Sequence, residues 1–406
     1  PVKKIPRWSK ICIEVVMVVF FLHTVQVQGT EIGMWDYIQS VRESSDFYEK
    51  EYVNPAKVKM TFPKEKKNLI YIFMESMESS YADKEDGGTM DDNYIPNLTK
   101  LARENVQFTD KKDGKVGGPV CLEATAYTAG GLVAQTSAIN LKVMNSGAVS
   151  DSFLPNLTAL GDILNKQGYN QMFLCGSDGD FAGRDAYFKT HKDYQIEDYK
   201  AAIKEGDIPK DYKVYWGHED KVLYERAKKN LKKLSKEGKP FNLTMLTVDT
   251  HFPNGYICDL CENKYDTTYG NAVACADRQV YDFVQWIKKQ DFYEDTTIII
   301  AGDHTSMVDT GSKFWKSLSN DYQRTVYNAI INPQCAYKKK VTTRRKFSTM
   351  DMFPTTLAAL GVEIDGNKLG LGTNLFSGEE TLREELGANY INKELKRNDK
   401  MYNQFY

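Results

Sequence analysis

Two short apolar runs in this sequence of 406 residues end abruptly in residues able to hold a metal ion. Leu69 to Met74 is followed by Glu75, and Thr296 to Gly302 is followed by Asp303-His304. Runs this short, rich in β-branched and aromatic residues, read as buried strands of a parallel sheet. In open α/β sheets, ligands sit beyond the carboxyl ends of the strands. An acid from the first strand, and an acid with an imidazole from the second, are therefore expected to meet at one sheet edge around a divalent cation. Between them in the chain, Thr128 stands among the small residues of Ala124 to Ala134, ahead of a segment with helical character. A hydroxyl at a helix N-terminus faces the positive end of the dipole. That setting favours an alkoxide nucleophile and a phosphate ester, more so with a cation on the same oxygen. A plain capping role for Thr128 accounts for its position equally well. Two further strand ends are polar: Gln171 to Cys175 leads into the Gly176–Arg184 loop, and Phe241 to Val248 leads to Asp249-Thr250-His251.

Around these ends, strands alternate with helical patterns. This predicts an α/β fold with a mainly parallel central sheet flanked by helices. Pro96-Asn97-Leu98-Thr99 and Pro155-Asn156-Leu157-Thr158 read as two helix starts, with Asn97 as a cap. Lys221 to Lys236 reads as a basic helix with a solvated outer face, Asn271 to Lys289 as a helix leading to the strand before Asp303, and Val326 to Ile331 as a further strand. Glu379 to Tyr406 reads as a charged helical tail on the outside of the fold. His191 and His218 lie in charged segments that are expected to be exposed. The sequence offers no second Asp/His set for a two-zinc site.

The net charge of -2 and the absence of a basic stripe exclude a nucleic-acid partner. Near the N-terminus, Lys3, Lys4, Arg7 and Lys10 precede the run Ile11 to Leu22, which carries Glu14. A membrane span needs about 20 apolar residues, so the run must continue past His23 and Thr24 to Val27. Residues 1–28 read as a membrane segment or the end of a larger membrane region, with the basic flank on the cytoplasmic side. A cleaved signal peptide and a buried soluble helix are rival readings. Residues 29–64 read as a linker helix broken at Pro55 and Pro63. Seven cysteines are too few for a disulfide scaffold. Cys258, Cys261 and Cys275 cluster, without the second pair that a zinc ribbon needs. For a domain outside the membrane, one local disulfide such as Cys261–Cys275 is expected, with the pairing among the three left open.

Six motifs occur in order: Lys67 to Ser76 with its Met-Glu-Ser, Pro96 to Ala102, Tyr127-Thr128-Ala129-Gly130-Gly131, Thr250-His251-Phe252-Pro253, Gly302-Asp303-His304, and Asp351-Met352-Phe353-Pro354-Thr355. Together they resemble the sulfatase-like branch of the alkaline phosphatase superfamily, closest to lipoteichoic acid synthases and periplasmic phosphoglycerol transferases. The resemblance covers residues 65–376, and implies a catalytic domain over 65–378 with a helical tail over 379–406. It implies one divalent cation, most often manganese, held by Glu75, Thr128, Asp303 and His304. Magnesium and zinc suit the same donors. It implies Thr128 as the nucleophile, His251 as a phosphate contact that aids proton transfer, Arg184 as the phosphate-binding arginine, and Asp178 near the glycerol hydroxyls. Arylsulfatases need a cysteine or serine convertible to formylglycine, which a threonine cannot supply. The activity implied is transfer of glycerophosphate from phosphatidylglycerol to a glycerophosphate polymer or glycan, on the extracytoplasmic side of a membrane. A phosphodiesterase, a phosphatase, a phosphoethanolamine transferase and a non-catalytic membrane-tethered module remain the alternatives.

Overall fold

The run from Leu69 to Met74 becomes the middle of the sheet. A computed structural model describes residues 6–31, 34–35, 42–112, 114–142 and 152–406. Six strands form the main sheet: β1 (Asn68–Met74), β2 (Asn170–Cys175), β3 (Tyr194–Glu197), β4 (Phe241–Leu246), β5 (Thr296–Gly302) and β6 (Asn328–Ile331). Their order is β3-β2-β4-β1-β5-β6, parallel except for the antiparallel edge strand β6. The helices that matter here are α1 (Arg7–Glu31), α2 (Pro96–Glu104), α3 (Thr128–Ser137), α4 (Arg184–Thr190), α5 (Asp220–Leu234), α6 (Thr268–Ile287) and α7 (Met352–Ala359).

Alternate residues of β1 serve opposite faces. Leu69, Tyr71 and Phe73 pack with Leu132 and Val133 of α3 and Leu357 of α7. Ile70, Ile72 and Met74 pack with Leu98 of α2, Leu231 of α5 and Val280 of α6. Covering both faces is what makes the strand apolar without alternation. The register then fixes the chemistry: Met74 pairs with Gly302 and Phe73 with Leu246. The next residues, Glu75, Asp303 and the Thr247–His251 segment, therefore leave the sheet side by side.

Helix α5 is amphipathic as expected, but its inner face holds a charge. Arg226, 2% exposed, reaches Glu197 at 2.6 Å and Asp207 at 3.0 Å. Replacing Arg226 with methionine leaves the Glu197 carboxylate buried and unpaired, a change that typically costs about 3–5 kcal/mol. The expected result is a matching loss of stability in urea unfolding.

Several sequence expectations change. The first helix is longer than the apolar run: Arg7–Thr30 is long and apolar enough to cross a membrane, and its apolar stretch is exposed. At 1.5 Å per residue it is roughly 37 Å long. Residues 29–64 are not one linker helix among the described residues. Ser44–Ser45 pairs with Asn398–Asp399, and Met60–Thr61 with Glu363–Ile364. Tyr48 packs on Tyr402 and Phe405, at centroid distances of 5.2 Å and 5.9 Å. The tail is not peripheral, since Leu382, Ile391, Leu395, Tyr402 and Phe405 are buried. Aromatic residues at both ends of the domain find each other, which overrides the charged, helical look of their surroundings.

Asn97 does not cap α2. The backbone N–H groups of Asn97 and Leu98 donate to Asp277 of α6, at 3.1 Å and 2.7 Å. The second expected start falls later, in a helix over Leu160–Lys166. His191 and His218 are buried, not exposed. His191 Nδ1 lies 2.7 Å from Asp162, and burial lowers His218 to about 4.

Candidate active site

Glu75, Asp303 and His304 meet at the carboxyl end of the sheet, their ligand atoms all within 4.8 Å of one another. All three are buried. His304 Nε2 lies 3.4 Å from Glu75 Oε1 and 3.5 Å from Asp303 Oδ2. Nδ1 of the same ring is 2.8 Å from the Thr305 carbonyl; as the donor there, it leaves Nε2, which faces the acids, to serve as a metal ligand beside them. Thr128 Oγ1 joins the group, 3.2 Å from Glu75 Oε2 and 3.4 Å from His304 Nε2. It stands at the first position of α3, the helix N-terminus expected of it.

Local backbone geometry holds these groups. Ser76 adopts a left-handed conformation with φ of 51°, and its N–H donates to Asp303 Oδ1 at 2.8 Å. Strain of this kind survives where surrounding contacts over-determine it. The Ser76 hydroxyl donates to Glu75 Oε1 at 2.7 Å, and the Glu75 N–H donates to Thr247 Oγ1 at 2.9 Å. Helix α3 can approach because residue 131 is glycine: a Cβ there would meet the Asp303 carbonyl oxygen at 2.2 Å.

The electrostatics call for added positive charge. Burial, then the neighbouring Glu75 carboxylate, pushes the Asp303 carboxyl well above its ordinary range. Burial also disfavours the Glu75 carboxylate, but His304 outweighs it and holds Glu75 low. Burial disfavours the imidazolium of His304, yet Asp303 and Glu75 overcome this and raise it to about 10. Asp303 Oδ2 is buried with no hydrogen-bond partner. Two carboxylates, an imidazole nitrogen and a hydroxyl around one point fit a divalent cation of the manganese, magnesium or zinc type. Among the described residues the only other group of potential ligands is the cysteine trio.

Beside this cluster lies a cavity of about 390 Å³, lined by Glu75, Thr128, Asp178, Arg184 and His251 among others. Arg184, at the start of α4, is nearly buried. Its Nε donates to Phe181 O at 3.0 Å, and its Nη2 to Ser177 Oγ at 3.0 Å and Asp178 O at 2.7 Å. Those bonds clamp the guanidinium and leave Nη1 for a ligand. His251 Nδ1 lies 2.8 Å from Phe252 O, which leaves Nε2 free. Asp178 lines the cavity, but one of its oxygens lies 3.2 Å from Lys200 Nζ. Lys213, Tyr215 and Trp216 also line it, and sequence reasoning missed all three. The available signal was the aromatic pair before Gly217. A Cβ at Gly217 would meet Gly176 O at 2.2 Å, so only glycine lets this loop lie against the Gly176–Arg184 loop.

A parallel sheet that gathers acids, an imidazole and a helix-terminal hydroxyl at its carboxyl edge is the architecture of the alkaline phosphatase superfamily. Solved structures share it at low identity. A superfamily protein from Vibrio parahaemolyticus matches with a TM-score of 0.59 and 21% identity, covering 81% of this chain and 75% of the other. The lipoteichoic acid synthase LtaP from Listeria monocytogenes matches with a TM-score of 0.61 and 18% identity, covering 79% of both chains. Within that superfamily the chain belongs to the sulfatase family, whose profile matches residues 67–362. Members of this superfamily branch bind a divalent metal. Phosphoglycerol transferase I from Salmonella choleraesuis is 32% identical over 340 residues, covering 81% of this chain. This chain spans 41% of the length of that relative.

Proposed function

We propose that this chain carries the catalytic domain of a metal-dependent phosphoglycerol transferase, which moves glycerophosphate from phosphatidylglycerol to a glycerophosphate polymer or a glycan. The observation that carries the reading is the position of Thr128 Oγ1, 3.2 Å from Glu75 and 3.4 Å from His304, on the wall of the cavity it shares with Arg184 and His251. The 32% identity to phosphoglycerol transferase I supports the choice of substrate class. We assign the catalytic domain to residues 65–378, with residues 44–62 and 382–405 packed onto it. The helix Arg7–Glu31 anchors it to a membrane, on the extracytoplasmic side.

In this reading Glu75, Asp303 and His304, with Thr128, hold one divalent cation, most simply manganese. When bound, it supplies Lewis-acid polarisation of the Thr128 hydroxyl and of the phosphate. Thr128 Oγ1 attacks phosphorus as its proton passes to water, and the bond from phosphorus to the diacylglycerol oxygen breaks. Arg184 Nη1 stabilises the charge that builds on the phosphoryl oxygens. His251 Nε2 hands a proton to the leaving oxygen, and glycerophosphate stays on Thr128. An acceptor hydroxyl then gives a proton to His251 Nε2 and attacks phosphorus, and Thr128 Oγ1 leaves and takes a proton back from water. Asp178 faces the glycerol end of the donor.

The test is incubation with labelled phosphatidylglycerol, with and without a glycan acceptor. Diacylglycerol release together with a glycerophosphoryl adduct on Thr128 is expected. Free glycerophosphate produced at an unchanged rate with or without acceptor would instead identify a phosphodiesterase. Arg184→Lys is expected to lower kcat/KM for the lipid roughly tenfold or more, because an ammonium cannot keep three backbone and hydroxyl partners while also presenting a planar fork to phosphate. Steady-state kinetics on the lipid reads this directly.

A further inference from the structure

We propose that Cys258, Cys261 and Cys275 form a two-position disulfide clasp on the loop that follows His251, in which the bond from Cys261 moves between Cys275 and Cys258. Cys261 is bonded to Cys275, while Cys258 is a free thiol. Cys258 Sγ lies 3.6 Å from Cys261 Sγ, in contact with the sulfur it would attack. Cys258 and Cys261 are ends of a turn closed by a 3.0 Å bond from Cys261 N–H to Cys258 O. Such a turn keeps its end Cα atoms within about 7 Å, close to the span a disulfide bridges. Both positions of the clasp are therefore reachable from one backbone conformation.

The exchange balances internally. Cys258 gives up its proton and its sulfur attacks Cys261 Sγ. The Cys261–Cys275 bond breaks as the Cys258–Cys261 bond forms, and Cys275 leaves as a thiolate that takes up a proton. The chain holds one disulfide and one thiol among these residues before and after, so no outside oxidant is needed. Burial raises the Cys258 thiol above its ordinary value, which lowers the thiolate fraction and slows the exchange.

The two positions differ in what they tie together. In one, the loop is bonded to α6, which carries Cys275. In the other, the loop is bonded only to itself. The loop is continuous with His251 through bonds from Gly255 N–H to His251 O at 3.0 Å and from Tyr256 N–H to Asp249 O at 2.7 Å. Polar contacts outside the clasp hold it in place in either state. Arg278 of α6 donates to Glu262 at 2.6 Å, and Asn271 of α6 accepts from Lys264 N–H at 2.9 Å. Moving the bond thus changes how tightly the His251 loop is tethered without unfolding it.

The test denatures the protein in acid, labels thiols with N-ethylmaleimide and maps the label. Label on both Cys258 and Cys275 of the wild-type protein is expected; label on Cys258 alone would overturn the exchange. Cys275→Ser incubated with oxidised glutathione is expected to carry a Cys258–Cys261 bond with neither residue labelled, whereas label on both would show that the second position cannot form. Amide hydrogen exchange over residues 251–256 is expected to be faster in Cys275→Ser than in Cys258→Ser, and equal rates would remove the link to the His251 loop.

Discussion

Thr128→Ala is expected to lower diacylglycerol release from phosphatidylglycerol by at least about 10³-fold, equivalent to about 4 kcal/mol of barrier. Among the described residues that line the cavity, Thr128 is the one whose hydroxyl lies against the side chains of both Glu75 and His304. The fold should survive the change, since losing one partly exposed hydroxyl costs about 1 kcal/mol. A circular dichroism melt close to wild type would confirm that the loss is chemical. Thr128→Ser keeps the oxygen and should retain far more activity than the alanine variant. If Thr128→Ala releases diacylglycerol at the wild-type rate, the covalent mechanism is wrong, whatever the fold suggests.

Manganese added to protein stripped with a chelator is expected to stabilise it by about 2.7 kcal/mol at a hundredfold excess over its Kd. Activity should vanish with the chelator and return with the ion. The metal-free protein should also have a distinctive pH dependence. Asp303 and His304 both hold their protons more tightly folded than unfolded. Their contribution is therefore complete below the unfolded values and is lost as pH rises, for His304 between about 6.5 and about 10. Thermal melts of the stripped protein should fall over that window, and bound ion should flatten the slope. Asp303→Asn supplies the control. Its Oδ1 can still accept from the N–H groups of Ser76 and His304, and its amide can donate toward Glu75. The stripped variant should melt no lower than stripped wild type, yet gain nothing from manganese. An equal manganese shift in both proteins would place the ion elsewhere.

How much of this was legible beforehand depended on the scale of the interaction. The strands ending at Glu75 and Asp303 were readable because a parallel strand covered on both faces must be apolar along its whole length. Thr128 was readable because its neighbours are small, and the close contact of Gly131 with Asp303 is the reason they are. A local disulfide was legible from the clustering of Cys258, Cys261 and Cys275, but the choice of Cys275 over Cys258 as partner of Cys261 was not. The wall formed by Lys213, Tyr215 and Trp216 was not legible, since it depends on two loops meeting at Gly176 and Gly217. Buried His191 and His218 escaped for a related reason. Charged neighbours in sequence say little about a ring whose partner, such as Asp162, comes from another helix. The ends of the domain were misread because Tyr48 and Tyr402 pack across 354 positions of chain, beyond the reach of any local pattern.

The cation cluster and the cavity wall are built to different standards of permanence. The acids leave neighbouring strands whose separation is fixed by backbone hydrogen bonding at about 4.8 Å, a distance no side chain can retune. The wall, by contrast, comes from two surface loops that meet at Gly176 and Gly217 and pack Phe181 on Trp216. Descendants of such a chain can trade the Lys213–Trp216 segment while the reactive centre stays as it was. Diversification in the lineage should therefore concentrate at Lys213, Tyr215 and Trp216, and leave Arg184 and the register of the central strands untouched.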